Sequence, residues 1–179
     1  MNIYDDICSN LDRNITTQAI FFDISKAFDK VWHRGLISKL NAIGIRGQLL
    51  TWFEDYLSNR IQAVVIGGEQ SGYQTIQAVP GPTLFLIYIN DIVNEINSII
   101  KLFADDTNVY LSLEDPHQRA HILNNDLLRI AEWSIQWKVN FNPIKTELMN
   151  FSRRVNPIYQ PLFLEGKYYQ IHLHTSTLV

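Results

Sequence analysis

Two adjacent aspartates, Asp105 and Asp106, stand inside the otherwise apolar stretch KLFADDTNVYL. The runs on either side, Ile99 to Ala104 and Val109 to Leu113, are short and apolar enough to be strands. The pattern therefore predicts a β-hairpin with both carboxylates at its tip. Adjacent like charges repel and raise each other's pKa unless a cation neutralises them, so this hairpin constrains both the fold and the chemistry.

A third aspartate, Asp23, closes the apolar run from Ala19 to Ile24, whose length suits a buried strand. Oxygen ligands at this density suit Mg²⁺. Two ions about 3.5 to 4 Å apart would activate a primer hydroxyl and stabilise the departing pyrophosphate. From the residues alone, two simpler interpretations stay open: Asp105 and Asp106 can merely form a turn, and Asp23 can merely cap a strand.

The rest of the chain alternates helical and strand patterns without a simple repeat. Helices are predicted from the apolar spacing of Leu36, Leu40 and Ile43, of Leu49, Leu50, Phe53, Tyr56 and Leu57, from Pro82 to Ile96, and from Pro116 through Leu123, Leu127, Ile130 and Trp137. Further strands are predicted at Ile61 to Ile66, at Tyr73 to Val79 and at Glu147 to Phe151. These elements predict an α+β fold, a mainly antiparallel sheet with helices packed on one face.

Length and composition fit one compact domain, because a single apolar core can serve 179 residues. We expect this domain to span residues 1–154, followed by an irregular tail at 155–179. A net charge of −3 argues against a wholly basic surface for nucleic acid. Cys8 is the only cysteine, the start of the chain lacks the features of a secretory signal, and the longest apolar run, Leu84 to Ile89, is too short for a membrane span. We therefore expect a soluble intracellular protein, with nucleus and cytoplasm both open.

Several blocks in fixed order are more specific than the aspartates alone. They are FFDISKAFDKVWHRGLISKL, GIRGQLLTWFEDYLSNRIQAVVIGG, GPTLFLIYINDI, KLFADDTNVYL and FNPIKTELM. Together they resemble the reverse transcriptase domain of non-LTR retrotransposons of the jockey-like, LINE type, over roughly Ala19 to Arg154. The resemblance covers the palm region and implies a polymerase palm-like sheet and an RNA-directed DNA polymerase.

The resemblance also implies roles for single residues. In that family the positions matching Asp23 and Asp105 bind the catalytic metals, and the position matching Asp106 supports them. Ile24 would offer its backbone carbonyl to a metal. Phe28 would pack under the sugar of the incoming nucleotide, where a ring excludes a 2′-hydroxyl. Without the resemblance, Phe28 is interpreted as a core aromatic.

Lys145, in the block NPIKT, matches a family lysine thought to approach the triphosphate. There it would stabilise the charge of the leaving pyrophosphate, whereas its simpler interpretation is an exposed lysine. The implied cofactors are two Mg²⁺ ions, with Mn²⁺ as the alternative. The implied partners are an RNA template, a DNA primer and deoxynucleoside triphosphates, with no membrane; the oligomeric state is left open.

One block departs from the family. A segment that normally reads A-G-V-P-Q-G-S-x-L-G-P is shortened here to AVPGPTLF, from Ala78 to Phe85. Glycine lets the backbone approach template and nucleotide closely, so the loss puts template placement in doubt. The competing hypothesis is a catalytically inactive remnant that binds nucleic acid weakly at most. A nuclease using the same carboxylates is a third hypothesis, although further acidic or histidine ligands are not apparent.

A pair of tryptophans and a pair of arginines allow two interpretations each. Trp133 and Trp137 lie four residues apart on the long predicted helix, which favours core packing over a base-stacking platform. Arg153 and Arg154 are interpreted as a solvated surface pair, with contact to a backbone phosphate as the alternative.

Overall fold

A computed structural model of the chain describes residues 3–75, 81–142, 144–164 and 173–174. In chain order, its elements are α1 (Ile3–Asp12), β1 (Thr17–Asp23), α2 (His33–Ala42), α3 (Gln48–Leu57), β2 (Ile61–Gln62), β3 (Val65–Ile66), β4 (Glu69–Gln70), β5 (Gln74–Thr75), α4 (Pro82–Ile89), a 3₁₀ helix (Asn90–Val93), β6 (Ile99–Phe103), β7 (Asp106–Ser112), α5 (Pro116–Trp137), β8 (Glu147–Phe151) and β9 (Leu173–His174). They fall into two compact units, described in turn.

The first unit, residues 1–24, 92–136 and 140–179, contains a five-stranded sheet in the order β6-β7-β1-β8-β9. All pairs are antiparallel except β8 with β9, which is parallel. β1 is the central strand, and Ala19 and Ile20 on its two faces are both fully buried. A strand that is covered on both faces reads as a continuous apolar run, which explains the segment AIFF.

Helix α5 covers the face of the sheet that carries Ile20 and Phe22. The helix presents Leu123, Leu127 and Ile130 at helical spacing, and all three are fully buried. Its contact with the sheet includes a buried hydrogen bond, in which Arg119 Nε donates to Gln18 Oε1 over 2.9 Å. Gln18 shares a face with Ile20 and Phe22 because alternate residues of a strand point the same way.

Helix α1 covers part of the opposite face and was not predicted from the sequence. The Tyr110 hydroxyl donates to Asp6 over 2.5 Å, and Asn10 donates to the Ser112 hydroxyl over 3.0 Å. Burial and this bond raise the pKa of Tyr110 well above its ordinary value. These contacts lie toward the Thr17 end of β1, so α1 leaves the Asp23 end of the same face uncovered by its own contacts.

A buried carboxylate on α5 fixes the start of β6. Asp126 is fully buried, and it accepts hydrogen bonds from the backbone N–H groups of Asn97 and Ser98 and from both of their side chains. Several donors satisfy the charge, which would otherwise be costly to bury. The bonds hold the segment that leads into the aspartate hairpin against the long helix.

The second unit, residues 25–91 and 137–139, contains α2, α3, α4 and two nested short hairpins. Leu36, Leu40 and Ile89 are fully buried in it. Lys39 is also buried: it pairs with Asp91 at 2.5 Å and lies 3.8 Å over the Trp137 ring. Burial lowers the pKa of Lys39, and the Asp91 carboxylate opposes that shift.

The sequence predictions hold for most elements, and the α+β class is confirmed. The helix predicted to reach Ile96 is wrong at its end, since α4 stops at Ile89 and a 3₁₀ turn closes at Val93. Ile43 does not share the buried face of α2, because it follows the last helical residue and is exposed. Residues 76–80 of the predicted strand at Tyr73 to Val79 lie outside the described part of the chain.

The domain boundary after Arg154 stays a prediction. Beyond it, Leu162 and Leu164 are buried, and Leu173–His174 add a strand beside β8. Among the described residues, none of the helices combines the length and apolar character that crossing a bilayer requires.

Truncation of Leu127 tests the packing of α5. Leu127→Ala removes a fully buried side chain, so we expect the free energy of unfolding to fall by about 2–5 kcal/mol. The matched control is Leu128→Ala on the exposed side of the same helix, where a change within about 0.5 kcal/mol is expected. Urea denaturation followed by circular dichroism measures both, and equal losses would contradict this packing.

Candidate functional site

The register of the central sheet places two carboxylates side by side. Asp23, the last residue of β1, is the direct partner of Asp106, the first residue of β7. Directly opposed residues of an antiparallel pair share a face, with Cβ atoms about 4.5–5.5 Å apart. Asp23 and Asp106 therefore form a like-charged pair at one end of the sheet, although they lie far apart in the sequence.

Asp105 lies in a tight turn next to this pair. Phe103 and Asp106 are register partners, so Ala104 and Asp105 form a two-residue hairpin loop. Ala104 has φ 55°, a left-handed conformation, whereas Asp105 is not among the residues with positive φ. Asp105 is half-buried and Asp106 is exposed, so both carboxylates are accessible.

Lys145 approaches the same end of the sheet. Its Nζ lies 3.2 Å from Asp23 Oδ1, and the exposed fractions of the two side chains are 64% and 24%. Lys145 is thus an exposed lysine, as its simpler interpretation had it, and it is also an ion-pair partner of a predicted catalytic aspartate. An exposed pair of this kind is weak, about 0–1 kcal/mol, so a ligand can displace it easily.

The turn that carries Lys145 is built on Asn142. The Asn142 N–H donates to the Asp23 carbonyl over 2.8 Å, which ties the turn to the end of β1. The Asn142 carbonyl accepts from the N–H and the hydroxyl of Thr146, and its side chain accepts from the Ile144 N–H. These bonds hold the turn in the conformation that places Lys145 beside Asp23.

Ile24 continues β1 beyond the sheet as an isolated bridge to Phe141. Its side chain is buried, and beside it the Phe22 and Phe141 rings pack with their centroids 5.0 Å apart. The bridge and this packing hold the backbone of Ile24 in place next to Asp23. The predicted role of its carbonyl as a metal ligand stays a prediction.

Phe28 lies in the second unit, where its ring packs against Phe85 with centroids 5.0 Å apart. Phe28 is 37% exposed while Phe85 is buried, so Phe28 is supported on one side and open on the other. It is therefore not a fully buried core aromatic. The sequence did not predict Phe85 as its support, although Phe85 belongs to the longest apolar run, Leu84 to Ile89.

Asp23, Asp105 and Asp106 do not form a preorganised metal site in this structure. Among the described residues, no three acidic, histidine or cysteine side chains lie close enough to hold one metal ion together. The donor chemistry nevertheless suits a hard divalent cation, because the group offers only carboxylate oxygens. The positive partner of Asp23 in this structure is the Lys145 ammonium.

The family of the chain follows from its sequence as a whole. A family profile described as reverse transcriptase (RNA-dependent DNA polymerase) matches residues 4–172. The chain belongs to the reverse transcriptase family. Divalent metal ions are generally used by reverse transcriptases, which is consistent with the carboxylates at the sheet end.

Three similar proteins of Drosophila melanogaster are RNA-directed DNA polymerases of mobile elements. The polymerase of the mobile element jockey is 30% identical over 75% of this reverse transcriptase chain and 16% of its own length. The probable polymerases of transposon BS and of the X-element are 29% and 27% identical over 83% and 91% of the chain, and over 18% and 19% of their own lengths. The resemblance to jockey-like elements is confirmed, and the chain spans less than a fifth of these relatives.

A solved structure shows the same fold. The apo telomerase from Candida tropicalis, truncated from its C-terminal domain, matches 87% of this reverse transcriptase chain and 36% of its own chain. The TM-score is 0.57 and the sequence identity is 11%. The match confirms the palm-like α+β fold that the sequence predicted.

The strained turn at Ala104 gives a test that leaves the carboxylates in place. Ala104→Gly removes the Cβ that is unfavourable at φ 55°, so we expect the free energy of unfolding to rise by about 0.5–1 kcal/mol. Ala120→Gly, inside α5, is the matched control and should lower it by about 1 kcal/mol. Thermal and urea unfolding measure both variants. A loss of stability in Ala104→Gly would contradict the left-handed turn.

Proposed function

We propose that Asp23, Asp105 and Asp106 form the two-metal nucleotidyl-transfer site of an RNA-directed DNA polymerase. The reaction adds deoxynucleoside triphosphates to the 3′-hydroxyl of a DNA primer on an RNA template. The observation that carries the proposal is the register pair of Asp23 and Asp106, which brings the first block and the hairpin block together at one sheet end. Family membership makes this chemistry the first choice for such a pair.

The electrostatics of the sheet end favour a bound cation. Asp23 and Asp106 face each other with like charge, which is destabilising, and in this structure the Lys145 ammonium compensates part of it. Two Mg²⁺ ions, or Mn²⁺ in their place, would activate the primer hydroxyl and stabilise the pyrophosphate when bound. Asp23, Asp105 and Asp106 supply carboxylate oxygens, and Ile24 supplies the backbone carbonyl that follows Asp23. Rotation of the accessible Asp105 and Asp106 side chains completes the ligand set.

Lys145 has two successive partners in this proposal. Without a nucleotide, its ammonium pairs with Asp23. Because the side chain is largely exposed and the pair is weak, Lys145 can turn toward a triphosphate and stabilise the charge of the leaving pyrophosphate. Phe28, held from behind by Phe85, would contact the nucleotide sugar.

The second candidate function is a catalytically inactive remnant with weak nucleic-acid binding. Two observations favour it: the glycine-rich block is shortened to AVPGPTLF, and no three potential ligands are gathered among the described residues. In that block, Gly81 has φ 94° and precedes Pro82 in the first turn of α4, while Ala78 to Pro80 lie outside the described residues. The two candidates differ in product formation, not in family.

Metal binding tests the carboxylate site directly. We expect Mn²⁺ to bind the chain, and Asp23→Asn to weaken the affinity by about tenfold or more, because a charged ligand is lost. Asp12→Asn is the matched control, since Asp12 pairs with Arg153 at 3.1 Å as Asp23 pairs with Lys145 at 3.2 Å. Electron paramagnetic resonance titration measures free Mn²⁺. If Asp23→Asn and Asp12→Asn lowered the Mn²⁺ affinity equally, the metal site would not lie at this end of the sheet.

Lys145→Met tests the two proposed contacts of the lysine, with Asp23 and with the triphosphate. With the competing ammonium gone, we expect Mn²⁺ affinity to rise about two- to fivefold in the absence of nucleotide. Primer extension should fall in the same variant, because the pyrophosphate loses its counter-charge. Arg13→Met, at an exposed position after α1, is the control and should change neither. A parallel fall in metal affinity and extension would contradict the proposed exchange.

Primer extension on an RNA template decides between the two candidates. With Mg²⁺ and deoxynucleotides, the polymerase candidate requires a product that Asp105→Ala lowers by about 100-fold or more. Metal binding without any product, in a chain whose fold is verified by circular dichroism, supports the inactive remnant. Product that persists in Asp105→Ala would contradict the assigned role of the hairpin.

A further inference from the structure

A small cavity lies near the start of β1 and the start of α5, within the first unit. It has a volume of about 170 Å³, and its walls include Thr16, Arg119, Arg154 and residues 155–158. β1 separates it from Asp23, and seven strand residues at about 3.3 Å each span roughly 20 Å. The cavity therefore does not belong to the carboxylate site.

Arg119 brings a buried positive charge to this cavity. Its side chain is 1% exposed, and its donors reach neutral oxygens: Gln18 Oε1 at 2.9 Å, the Leu113 carbonyl at 2.5 Å and the Ile158 carbonyl at 3.4 Å. None of the ion pairs found among the described residues involves Arg119. Burial lowers the pKa of Arg119, and the nearby Tyr159 opposes that shift.

Arg154 adds a second guanidinium to the same wall. It donates to the carbonyls of Asn14 at 3.3 Å and Glu114 at 3.5 Å, again neutral acceptors, and its charge lowers the pKa of Arg119 further. Bonds to single carbonyls leave N–H groups on both guanidinium forks uncommitted. Two cations have been brought together around a cavity, which is unfavourable unless an anion lies between them.

Two carboxylates near the cavity act on these cations. Asp115 raises the pKa of Arg119, but its Oδ1 accepts from the His117 N–H at 2.8 Å as the cap of α5. Glu114 contributes to the wall and is exposed to solvent. In the described part of the chain, neither carboxylate makes an ion pair with Arg119 or Arg154. The N–H groups of the two guanidinium forks are therefore not taken up by a carboxylate of the cavity wall.

We propose that Arg119 and Arg154 form a binding site for a phosphate group. Planar guanidinium forks match phosphate oxygens and bind them through paired hydrogen bonds. The cavity is smaller than the roughly 300–1,000 Å³ of sites for drug-sized ligands, so its size suits a phosphate group better than a large organic molecule. The proposal does not rest on the carboxylate chemistry, because its residues and those of the sheet end are separate.

Arg153 offers a matched control for the experiment. It is adjacent to Arg154, carries the same charge and pairs with Asp12 outside the cavity wall. Binding of inorganic phosphate to the full chain is measured by isothermal titration calorimetry for the wild type, Arg154→Ala and Arg153→Ala. We expect Arg154→Ala to weaken phosphate binding about tenfold and Arg153→Ala to change it less than about twofold.

A second arm identifies the source of the phosphate. A single-stranded oligonucleotide without terminal phosphate is titrated into the chain at saturating inorganic phosphate. Displacement of the phosphate that depends on Arg154 supports a nucleic-acid backbone as ligand, and failure to displace it supports free phosphate in the same site. Arg119→Lys, which keeps the charge but loses the fork, should also weaken binding, with circular dichroism to verify the fold.

Two results would overturn the proposal. One is the absence of phosphate binding to a folded wild-type chain. The other is an equal loss in Arg154→Ala and Arg153→Ala, which would show that phosphate responds only to net charge. Asp105→Asn should leave phosphate binding at the cavity unchanged, so failure of the carboxylate proposal and failure of this one give different results.

Discussion

The position of β1 between β7 and β8 is the constraint on which the site depends. One register places Asp23 opposite Asp106 and also places the turn at Asn142 beneath the end of β1. A slip of one residue would move every side chain of β1 to the other face. Polar bonds at the far end oppose such a slip: the hydroxyls of Thr17 and Ser112 are 2.7 Å apart, and Gln18 donates to Asn150 over 2.9 Å.

The same polar ladder connects the sheet to its helix. Gln18 is fully buried and links Asn150 of β8 to Arg119 of α5, so each member satisfies part of another's hydrogen-bonding capacity. The apolar residues of α5 provide most of the burial, whereas this network fixes how the helix lies along the strand. A purely apolar contact would leave that alignment less specific.

Local sequence patterns were enough to predict most helices and strands, whereas the arrangement of the candidate site depends on contacts between residues far apart in the sequence. β8 was predicted with its observed bounds, and α5 was predicted because Leu123, Leu127 and Ile130 recur at helical spacing. α1 was not predicted, although Ile3, Ile7 and Leu11 recur at helical spacing in its sequence; its hydrogen bonds run to Tyr110 and Ser112, about a hundred residues away. The pair of Lys145 with Asp23 likewise depends on a register that no short stretch encodes. The resemblance to a family indicated the candidate site residues, and the structure shows which residues contact them.

The position of β6 at the margin of the sheet has a consequence for solubility. Within the part of the chain that the structure describes, β6 pairs on one side, with β7, so its other side offers backbone groups to a strand from a second molecule. Phe103 at its end is 78% exposed, which would favour such association. Lys101, exposed at the middle of the strand, opposes it, because stacking two copies would bury or crowd a charged side chain. The exposed charge of Lys101 and the exposed ring of Phe103 therefore act in opposite directions on strand pairing at this margin.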